Sequence, residues 1–529
     1  MLWSAALMTL AFPPVDWGWL AWFGLAPLFW ALPRARRPRH AFALGYLFGI
    51  THWGATITWI GTTVVEWTHS PVGWAAWVLL TLIKSLWFGL FGVLAWWMGR
   101  RTDSADRSRL FLRPLAIAAA WTLVEWLRGQ SSVAMPWSLS GYTQYRWLPI
   151  IQAADLAGVY AVTFALAWVG ASISESVNWA IGQWSHASRI THHPADPGLN
   201  AGAIVTSPPH HPITSSPFLP LLPPLLLVMA MLGYGWLALG RPFEGQAYRV
   251  SVMQPNVASR RGDPYRLAED LDRYRRMAAR VPGGAVDLVV WPESTVSEFV
   301  EEPESIRAFA GIARQTGAYQ LLGSSFVDAK GKVYNSAMLV GTDGRLADRY
   351  DKNWLVPMGE YVVMRPVLQP FDTLFHFPPD TVAGRQDRVM DAGRARLCVL
   401  ICYESVFPIV SRTRSRAGAN LLVGITNDSW AGESAELQQH AAMVAFRAVE
   451  NRRWLASAAT TGITGFIEPT GAIHAAAPYR EDVMTATVRL RDETTFYARF
   501  GDWLVALCGL LVAVTLFGGK RRPVAEGAV

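Results

Sequence analysis

Three ionisable residues come directly after apolar or turn-forming runs in the second half of the chain, and their side chains suit chemistry at a carbonyl carbon. Glu293 follows the run 289–292, Cys402 follows the run 399–401, and Lys352 follows a Tyr–Asp pair. A thiol nucleophile needs a base to become a thiolate, and the tetrahedral adduct of a carbonyl needs a positive donor beside its oxyanion. The glutamate, lysine and cysteine supply these roles, so together they predict a thiol-based catalytic site.

Each of the three residues also has an ordinary structural explanation when it is considered alone. A cysteine that ends an apolar strand is commonly buried and inert, a glutamate after Trp–Pro can cap a helix, and a loop lysine is commonly solvated. The three cysteines of the chain, Cys398, Cys402 and Cys508, form neither a disulfide framework nor a set with zinc-ligand spacing. The combination of base, donor and nucleophile therefore favours catalysis at Cys402.

The region that carries these residues, 246–491, mixes charges, turns and short apolar runs like a water-soluble domain. Compact apolar runs that end in turn or functional residues predict strands, and amphipathic periodicity predicts helices. Their alternation predicts an α/β layered domain in which helices cover a sheet. The predicted strands are 248–253, 288–291, 319–324, 337–340, 396–401 and 420–426, and the predicted helices are 267–280, 304–316 and 438–450.

The rest of the chain predicts a multi-pass bundle of membrane helices. Of the 529 residues, 51% are hydrophobic and 26 are tryptophan, and long apolar runs dominate residues 1–236. The first two runs flank Phe12-Pro13-Pro14 and are short, so they are either two spans or one broken or re-entrant element. The eight candidate spans are 2–12, 17–32, 41–60, 72–98, 115–127, 148–181, 218–239 and 503–517.

Basic residues predict how this bundle is oriented. They follow the second, fourth and last candidate spans, and the positive-inside rule assigns such clusters to the cytoplasm. Eight spans then put the polar domain outside the cytoplasm and the His- and Pro-rich stretch 185–217 inside. These clusters also account for the net charge of +7, so nucleic-acid binding is not expected. The basic residues are Arg34, Arg36, Arg37, Arg39, Arg100, Arg101, Arg107, Arg109, Arg113, Lys520, Arg521 and Arg522.

Three other features have structural interpretations. The apolar N-terminus lacks the charged region and cleavage site of a removed signal, so we expect it to be retained. The histidines at 192–193 and 210–211 are interpreted as incidental surface residues rather than metal ligands. Glu125 and Arg128 lie one helical turn apart in a membrane segment, and we expect them to pair with each other near the junction of the two regions.

The motifs around the three residues resemble those of the nitrilase superfamily, and their fusion to membrane segments resembles the apolipoprotein N-acyltransferase family. The similarity extends over nearly the whole chain, with departures from the usual family residues at Met358, Ala431 and Thr461 and in the segment 260–263 after Asn256. The motifs are Leu10–Pro14, Glu125–Arg128, Pro136-Trp137, Leu355–Glu360, Cys402–Glu404, Thr426–Trp430, Arg447 with Glu450, Gly462–Thr464 and Tyr497–Arg499.

The resemblance implies a sandwich of αββα layers with a Glu-Lys-Cys triad. Glu293 would be the general base, Lys352 would stabilise the oxyanion, and Cys402 would carry an acyl thioester. Glu360 would be a second acidic residue that supports the site.

Two residues next to the cysteine are also implied by the resemblance. Tyr403 and Glu404 would shape the turn of the nucleophile, and a direct chemical role for either stays open. No metal or organic cofactor is expected, because the thiol, the base and the lysine suffice for acyl transfer.

The implied reaction moves a fatty acyl chain from a membrane phospholipid, through the cysteine thioester, to the N-terminal amine of a diacylglyceryl-cysteine apolipoprotein. The expected location is the bacterial inner membrane, with the catalytic domain on the periplasmic side. The expected organisation is a bundle of seven spans at 1–240 with a cytoplasmic loop at about 182–217, a catalytic domain at 246–492, a last span at 503–518 and a basic cytoplasmic tail at 519–529.

Two other functions stay open at this point. A membrane-tethered amidase or nitrilase would use the same triad, with water as acceptor, to hydrolyse a small carbon–nitrogen substrate. A transporter or scaffold would carry a degenerate, inactive copy of the domain. A long-chain acyl mass on the Cys402 peptide would favour the transferase, and a short acyl mass would favour the amidase.

Overall fold

The apolar first part of the chain folds into helices in a computed structural model that describes residues 1–68, 70–101, 109–130, 134–191, 216–257, 266–298, 303–371 and 379–518. The stretch 192–215, with its four histidines, the segment 260–263 and the basic tail 519–529 lie outside the described residues. The α-helices here are Leu2–Leu10, Ala21–Gly24, Ala26–Ala31, Pro38–Thr56, Trp59–Thr68, Val72–Arg101, Arg109–Gln130, Leu148–Ile151, Ala154–Ala157, Val159–Thr191 and Leu222–Leu239.

Every one of the eight candidate spans contains helix, but within the described ranges only four helices are long and apolar enough to cross a membrane. A helix rises 1.5 Å per residue, so the nine residues of Leu2–Leu10 extend about 14 Å, roughly half of the ~30 Å hydrocarbon layer. The predicted number of eight spans is therefore not confirmed. The four long helices are Gly73–Arg100, Leu110–Gln130, Val159–Ile181 and Leu219–Leu239.

The first two candidate spans form short helical pieces that pack against each other. The Leu28 backbone N–H donates a hydrogen bond to the Ser4 hydroxyl at 2.8 Å, and the second candidate span is divided between Ala21–Gly24 and Ala26–Ala31. The Thr9 hydroxyl lies 3.1 Å from Nδ1 of His52 and so connects the pair to the next helix. Neither piece is long enough to be a separate full span.

The polar region forms two sheets that pack face to face. A seven-stranded sheet has the order β13-β1-β2-β4-β5-β6 with β3 paired to β4, and a six-stranded sheet has the order β12-β11-β10-β9-β8-β7. The strands are β1 (Gln246–Gln254), β2 (Leu288–Val290), β3 (Val296–Glu298), β4 (Tyr319–Val327), β5 (Val333–Val340), β6 (Leu346–Asp351), β7 (Met390–Ala392), β8 (Ala395–Ile401), β9 (Leu421–Thr426), β10 (Leu455–Ala459), β11 (Gly465–Ile467), β12 (Ile473–Ala475) and β13 (Asp482–Leu490).

Helices cover the outer face of each sheet and complete four layers, helix, sheet, sheet and helix, as the αββα prediction requires. Arg266–Ala278 and Pro303–Thr316 pack on the seven-stranded sheet, and Pro408–Arg416 and Glu436–Asn451 lie on the side of the six-stranded sheet. The α/β sandwich fold is thus confirmed. The remaining helices of this part are Arg365–Leu368, Phe496–Phe500 and Trp503–Phe517.

The predicted strands and helices correspond to observed ones, and several observed elements were missed. The helix Pro408–Arg416 and the strands β3, β6, β7 and β10 to β13 had no prediction. In β6 the residues Leu346-Ala-Asp-Arg-Tyr-Asp351 are mostly polar, and β13 alternates exposed and half-buried positions over much of its length. Such strands lack the continuous apolar run on which the predictions depended.

The side chain of Gln439, in the helix Glu436–Asn451, joins the sandwich to the membrane helices. Its Oε1 accepts hydrogen bonds from the indole N–H groups of Trp59 at 3.2 Å and Trp137 at 2.6 Å. Its Nε2 donates to the carbonyls of Pro13 at 3.1 Å and Thr56 at 3.0 Å. These bonds use the full capacity of the amide, so this helix is held tightly on the bundle.

Glu125 and Arg128 interact through their charges, as expected, but both form hydrogen bonds with the segment 137–140 and form no direct salt bridge with each other. The Arg128 guanidinium donates to the carbonyls of Trp137 at 2.7 Å and Ser138 at 3.2 Å. The Glu125 carboxylate accepts from the backbone N–H and the hydroxyl of Ser140 at 3.1 and 2.7 Å. A buried charge needs hydrogen-bond partners, and here the connecting segment that leads toward Gln439 supplies them.

Candidate active site

Three strand ends bring Glu293, Lys352 and Cys402 together between the two sheets. Glu293 lies three residues after β2, Lys352 directly follows β6, and Cys402 directly follows β8. The first two strands belong to the seven-stranded sheet and the third to the six-stranded sheet. The site therefore needs both sheets, and all three side chains are buried.

Lys352 is enclosed by two carboxylates. Its Nζ lies 3.3 Å from Oε1 of Glu293 and 2.9 Å from Oε2 of Glu360. Burial by itself lowers the pKa of Lys352, but the carboxylates of Glu293 and Glu360 outweigh that effect and hold the pKa well above its ordinary value. The ammonium group stays charged, as a donor to a developing oxyanion must.

Asn335 in β5 connects the two carboxylates and was missed by the sequence analysis. Its amide nitrogen donates to Oε1 of Glu293 at 2.7 Å and to Oε1 of Glu360 at 2.8 Å. The backbone N–H of Asn427 donates to the other oxygen of Glu293 at 3.0 Å. An uncharged amide in a strand shows no distinctive sequence pattern. The only available indication was its position just before the predicted strand 337–340.

Cys402 occupies a left-handed backbone conformation, with φ of +49°, at the start of the 3-10 turn Cys402–Val406. Such a conformation is costly for a residue with a side chain, and active sites are one of the places where it clusters. Burial, followed by the Glu293 carboxylate, raises the pKa of the thiol well above its ordinary value, although Lys352 acts in the opposite direction. The resting site thus holds a thiol whose proton must be taken by a base.

Glu404 binds the backbone on both sides of the site. Its Oε1 accepts from the backbone N–H of Asn353 at 2.9 Å and from the Tyr350 hydroxyl at 2.5 Å, and its Oε2 accepts from the backbone N–H of Ile401 at 3.0 Å. Asn353 is adjacent to Lys352, and Ile401 is adjacent to Cys402. The fully buried carboxylate therefore fixes the lysine relative to the cysteine from behind, as a positioning residue.

Tyr403 connects the nucleophile's turn to the helical region. Its hydroxyl donates to the backbone carbonyl of Ala134 at 2.5 Å, and its ring packs edge-on against Phe407 with the ring centres 5.0 Å apart. Ala134 lies between the helix Arg109–Gln130 and the segment held by Glu125 and Arg128.

The loop after Lys352 contributes Glu360 and an exposed apolar surface. The backbone N–H of Val356 donates to Oε2 of Glu360 at 2.7 Å and so fixes the carboxylate from within the loop. Met358, one of the departures from the family pattern, is exposed and has φ of +66°, whereas Ala431 and Thr461 are buried.

This arrangement defines a class of protein. A helix–sheet–sheet–helix sandwich with buried glutamate, lysine and cysteine at its strand ends is a carbon–nitrogen hydrolase type of enzyme, and here it is built onto apolar helices. Residues 249–497 match the carbon-nitrogen hydrolase family, and residues 4–172 match the apolipoprotein N-acyltransferase N-terminal domain.

Full-length relatives make the assignment more specific. The chain is 33% identical over 526 residues to an apolipoprotein N-acyltransferase of Geobacter metallireducens, covering 98% of this chain and 94% of that one. It is 30% identical to one of Methylococcus capsulatus, covering 98% and 95%. A solved structure of a nitrilase-superfamily protein from Saccharomyces cerevisiae is also similar, at 20% identity and a TM-score of 0.36, covering 47% of this chain and 92% of that one.

The chain belongs to the apolipoprotein N-acyltransferase family. It is a membrane enzyme of the acyltransferase class, and the relatives support this assignment over the amidase alternative.

Proposed function

We propose that the chain transfers a fatty acyl group from a membrane phospholipid, through a thioester on Cys402, to the N-terminal amine of a diacylglyceryl-cysteine apolipoprotein. The observation that carries this proposal is a buried glutamate–lysine–cysteine set whose cysteine turn is bonded to the apolar helical region through Tyr403. A site held against membrane helices is suited to a substrate that stays in the bilayer.

In the first half-reaction the Cys402 sulfur attacks the ester carbonyl of the phospholipid. Glu293 takes the thiol proton, and Lys352 donates a hydrogen bond to the oxyanion of the tetrahedral adduct. Collapse of the adduct breaks the ester bond, and the proton passes from Glu293 to the departing oxygen. The products are a lysophospholipid and an acyl thioester on Cys402.

In the second half-reaction the α-amine of the apolipoprotein attacks the thioester carbonyl. Glu293 accepts a proton from the amine, Lys352 again stabilises the oxyanion, and the carbon–sulfur bond breaks. The thiolate recovers its proton from Glu293, so the site returns to its resting state. Glu360 and Asn335 hold the side chains of Lys352 and Glu293 in place during both half-reactions.

The fate of Cys402 tests this scheme directly. We expect the full-length chain in native membranes to yield a Cys402 peptide that carries a long-chain acyl mass and loses it when apolipoprotein is added. Cys402→Ala should give neither the adduct nor the acylated product, whereas Cys508→Ala, which removes a thiol from the last helix, should give both. A short acyl adduct would support an amidase, and product formed by Cys402→Ala would refute the mechanism.

The proposed arrangement in the membrane has eight spans, with the sandwich 246–492 on the periplasmic side of the inner membrane. It counts the two short pieces at 2–12 and 17–32 as two spans, and it is supported by the position of the basic clusters after the second, fourth and last candidate spans. In intact cells with a permeable outer membrane, an impermeant thiol reagent should label Lys330→Cys, on an exposed turn of the sandwich, and should not label Val524→Cys. The opposite pattern would contradict the eight-span topology.

A further inference from the structure

A second cluster of ionisable groups lies behind the nucleophile and has no part in the scheme above. Asp428, Glu436 and His440 are all buried, and one possible ligand atom from each lies within 4.8 Å of the other two. Asp428 follows β9, and the other two belong to the helix that carries Gln439. Ser405, three residues after Cys402, connects this cluster to the turn of Cys402.

The Ser405 hydroxyl determines which nitrogen of His440 carries a hydrogen. Ser405 Oγ lies 2.6 Å from the backbone carbonyl of Cys402 and 2.6 Å from Nε2 of His440. A carbonyl only accepts, so the single hydroxyl hydrogen is donated to Cys402. The serine oxygen then accepts from His440, and Nε2 must carry a hydrogen.

The other ring nitrogen of His440, Nδ1, faces the carboxylate of Asp428. Nδ1 lies 3.7 Å from Oδ1 of Asp428, and a bare lone pair on Nδ1 would be repelled by that carboxylate. Burial lowers the pKa of His440, but the hydrogen bond and charge of Asp428, together with the charge of Glu293, raise it above its ordinary value. A second proton on Nδ1 makes an imidazolium that pairs with Asp428. The indole ring of Trp137, stacked at 6.3 Å, adds no charge.

Glu436 completes the charge balance. Burial and the nearby Asp428 raise its pKa to about 8, so it is mainly protonated at neutral pH. One of its oxygens is buried with no hydrogen-bond partner, as is tolerable for a neutral carboxyl and costly for a carboxylate. The cluster is then neutral overall, with one anion, one cation and one uncharged acid.

The Asp428 carboxylate also acts on the sulfur. The Thr426 hydroxyl donates its hydrogen to Oδ1 of Asp428 at 2.6 Å, and, like burial, the charge of Asp428 raises the pKa of the Cys402 thiol. Contacts form an open chain from the Cys402 carbonyl through Ser405, His440 and Asp428 to Thr426. The His440 imidazolium offsets the Asp428 carboxylate, so the ion pair acts on both the turn and the thiol of Cys402.

We propose that the Asp428–His440 ion pair is a positioning device that holds the strained turn of Cys402, and that the His440 cation offsets the Asp428 anion next to the thiol. It acts through Ser405 on the Cys402 carbonyl and through the charge of His440 on the sulfur, without touching substrate. The inference rests on the proposed function only in taking Cys402 as the nucleophile. A divalent cation bound to the three side chains is the competing explanation of the same cluster.

The rate of Cys402 alkylation, read by mass analysis of its peptide, tests this inference without any lipid. The protein is the purified full-length chain in detergent, and the probe is iodoacetamide between pH 6 and 9. For His440→Gln we expect alkylation at pH 7 to fall about tenfold, equal to a rise of about one unit in the thiol pKa. The ratio of the wild-type alkylation rate to that of His440→Gln should fall as the pH rises through the pKa of His440, because the imidazolium loses its charge.

The pH dependence separates positioning by charge from simple packing. A packing defect would lower the rate by the same factor at every pH, and that result would overturn the proposal. Glu436→Gln should still be alkylated faster than His440→Gln at neutral pH. Its plot of alkylation rate against pH should lack any inflection near pH 8. His474→Gln replaces an exposed histidine that pairs with Glu468 and should leave the alkylation rate unchanged.

Two further measurements cover misfolding and metal binding. If His440→Gln does not fold, Ser405→Ala deletes only the oxygen that connects His440 to the Cys402 carbonyl and should slow alkylation about threefold to tenfold, as expected for one lost hydrogen bond. An unchanged rate in Ser405→Ala would overturn the proposal. One equivalent of tightly bound divalent metal in the purified chain, lost in Glu436→Gln, would also overturn it in favour of a cation site.

Failure of this inference is distinguishable from failure of the proposed function. If His440→Gln and Ser405→Ala slow alkylation as expected but no long-chain thioester forms, the role of the ion pair is supported and the transferase is rejected. If both variants form the long-chain thioester at the wild-type rate, the transferase is supported and the role of the ion pair is rejected.

Discussion

The two walls of the site are built on different physical principles. The carboxylate wall, Glu293, Asn335, Lys352 and Glu360, comes from the seven-stranded sheet and the loop after it. It holds a buried ammonium between two carboxylates with one amide that bonds both. The thiol wall comes from the six-stranded sheet and its helix, and its members are Cys402, Ser405, Thr426, Asp428 and His440.

The thiol wall combines a strained backbone turn with an ion pair. Cys402 has a left-handed backbone, and a chain of hydrogen bonds from Ser405 to His440 supports that turn. Glu404 is the link between the walls, since it binds the backbone beside both Lys352 and Cys402. The oxyanion donor, with its carboxylates, and the thiol, with its turn, are therefore held by separate sheets. Changes on the carboxylate wall should therefore impair chemistry most.

Removal of the ammonium should have the largest effect. Lys352→Met leaves two buried carboxylates without their cation and no donor for the oxyanion, so acyl-enzyme formation should fall about a thousandfold. The rate is measured by the appearance of the Cys402 acyl mass. Lys332→Met, on an exposed turn of the same sheet, is the matched control and should keep the wild-type rate. A loss of less than tenfold at Lys352 would mean that charge does not distinguish the walls.

Asn335 offers a sharper test of the same wall. Asn335→Asp keeps the size of the side chain but places a third carboxylate against Glu293 and Glu360, so acylation should fall about a hundredfold. Asn335→Leu loses the donor without adding charge and should be milder, at about tenfold. The two rates are compared in the same acylation assay. If the leucine variant were the slower one, packing rather than donation would explain Asn335.

Sequence reasoning brought the candidate site residues together more completely than it predicted the elements that carry them. Glu293 and Cys402 follow apolar strands that any periodicity analysis detects, and β2 and β8 lie where they were predicted. Lys352 was found by its type and its motif, although the polar strand β6 before it was missed. A strand with polar residues is stabilised by pairing with β5, and such pairing is not visible in local sequence.

The residues that were missed are those whose role depends on tertiary contact. Asn335, Ser405 and His440 carry no distinctive spacing, and each becomes meaningful only when two sheets and a helix meet. The same reasoning applies to Glu125 and Arg128, which local spacing paired with each other. Their charges do interact, but most of their hydrogen-bond partners lie in the segment 137–140, whose position depends on the fold.

The link between the walls should be less sensitive than the carboxylate wall. In Glu404→Gln one carboxylate oxygen becomes an amide nitrogen, which cannot accept a hydrogen bond. At least one N–H or O–H group that now donates to Glu404 then loses its acceptor, and a buried donor without an acceptor costs about 1–3 kcal/mol. We expect a lower unfolding midpoint in detergent and acylation slowed about tenfold by the misplaced strand ends. Glu468→Gln, which removes a charge from a carboxylate that contacts the exposed His474 and Thr470, should change neither measurement. Unchanged stability in Glu404→Gln would contradict the positioning role.

The smallest effect is expected at Tyr403, where the thiol wall meets the membrane helices. Tyr403→Phe removes the hydroxyl that bonds the Ala134 carbonyl but keeps the ring against Phe407, so it should cost about 1 kcal/mol of stability. Acylation and transfer rates should stay within about threefold of wild type, because the ring still shapes the turn. Tyr403→Ala, which removes the ring as well, should be clearly slower. A loss of a hundredfold in Tyr403→Phe would instead assign the hydroxyl a direct part in the chemistry and move Tyr403 from the scaffold of the thiol wall into its reacting groups.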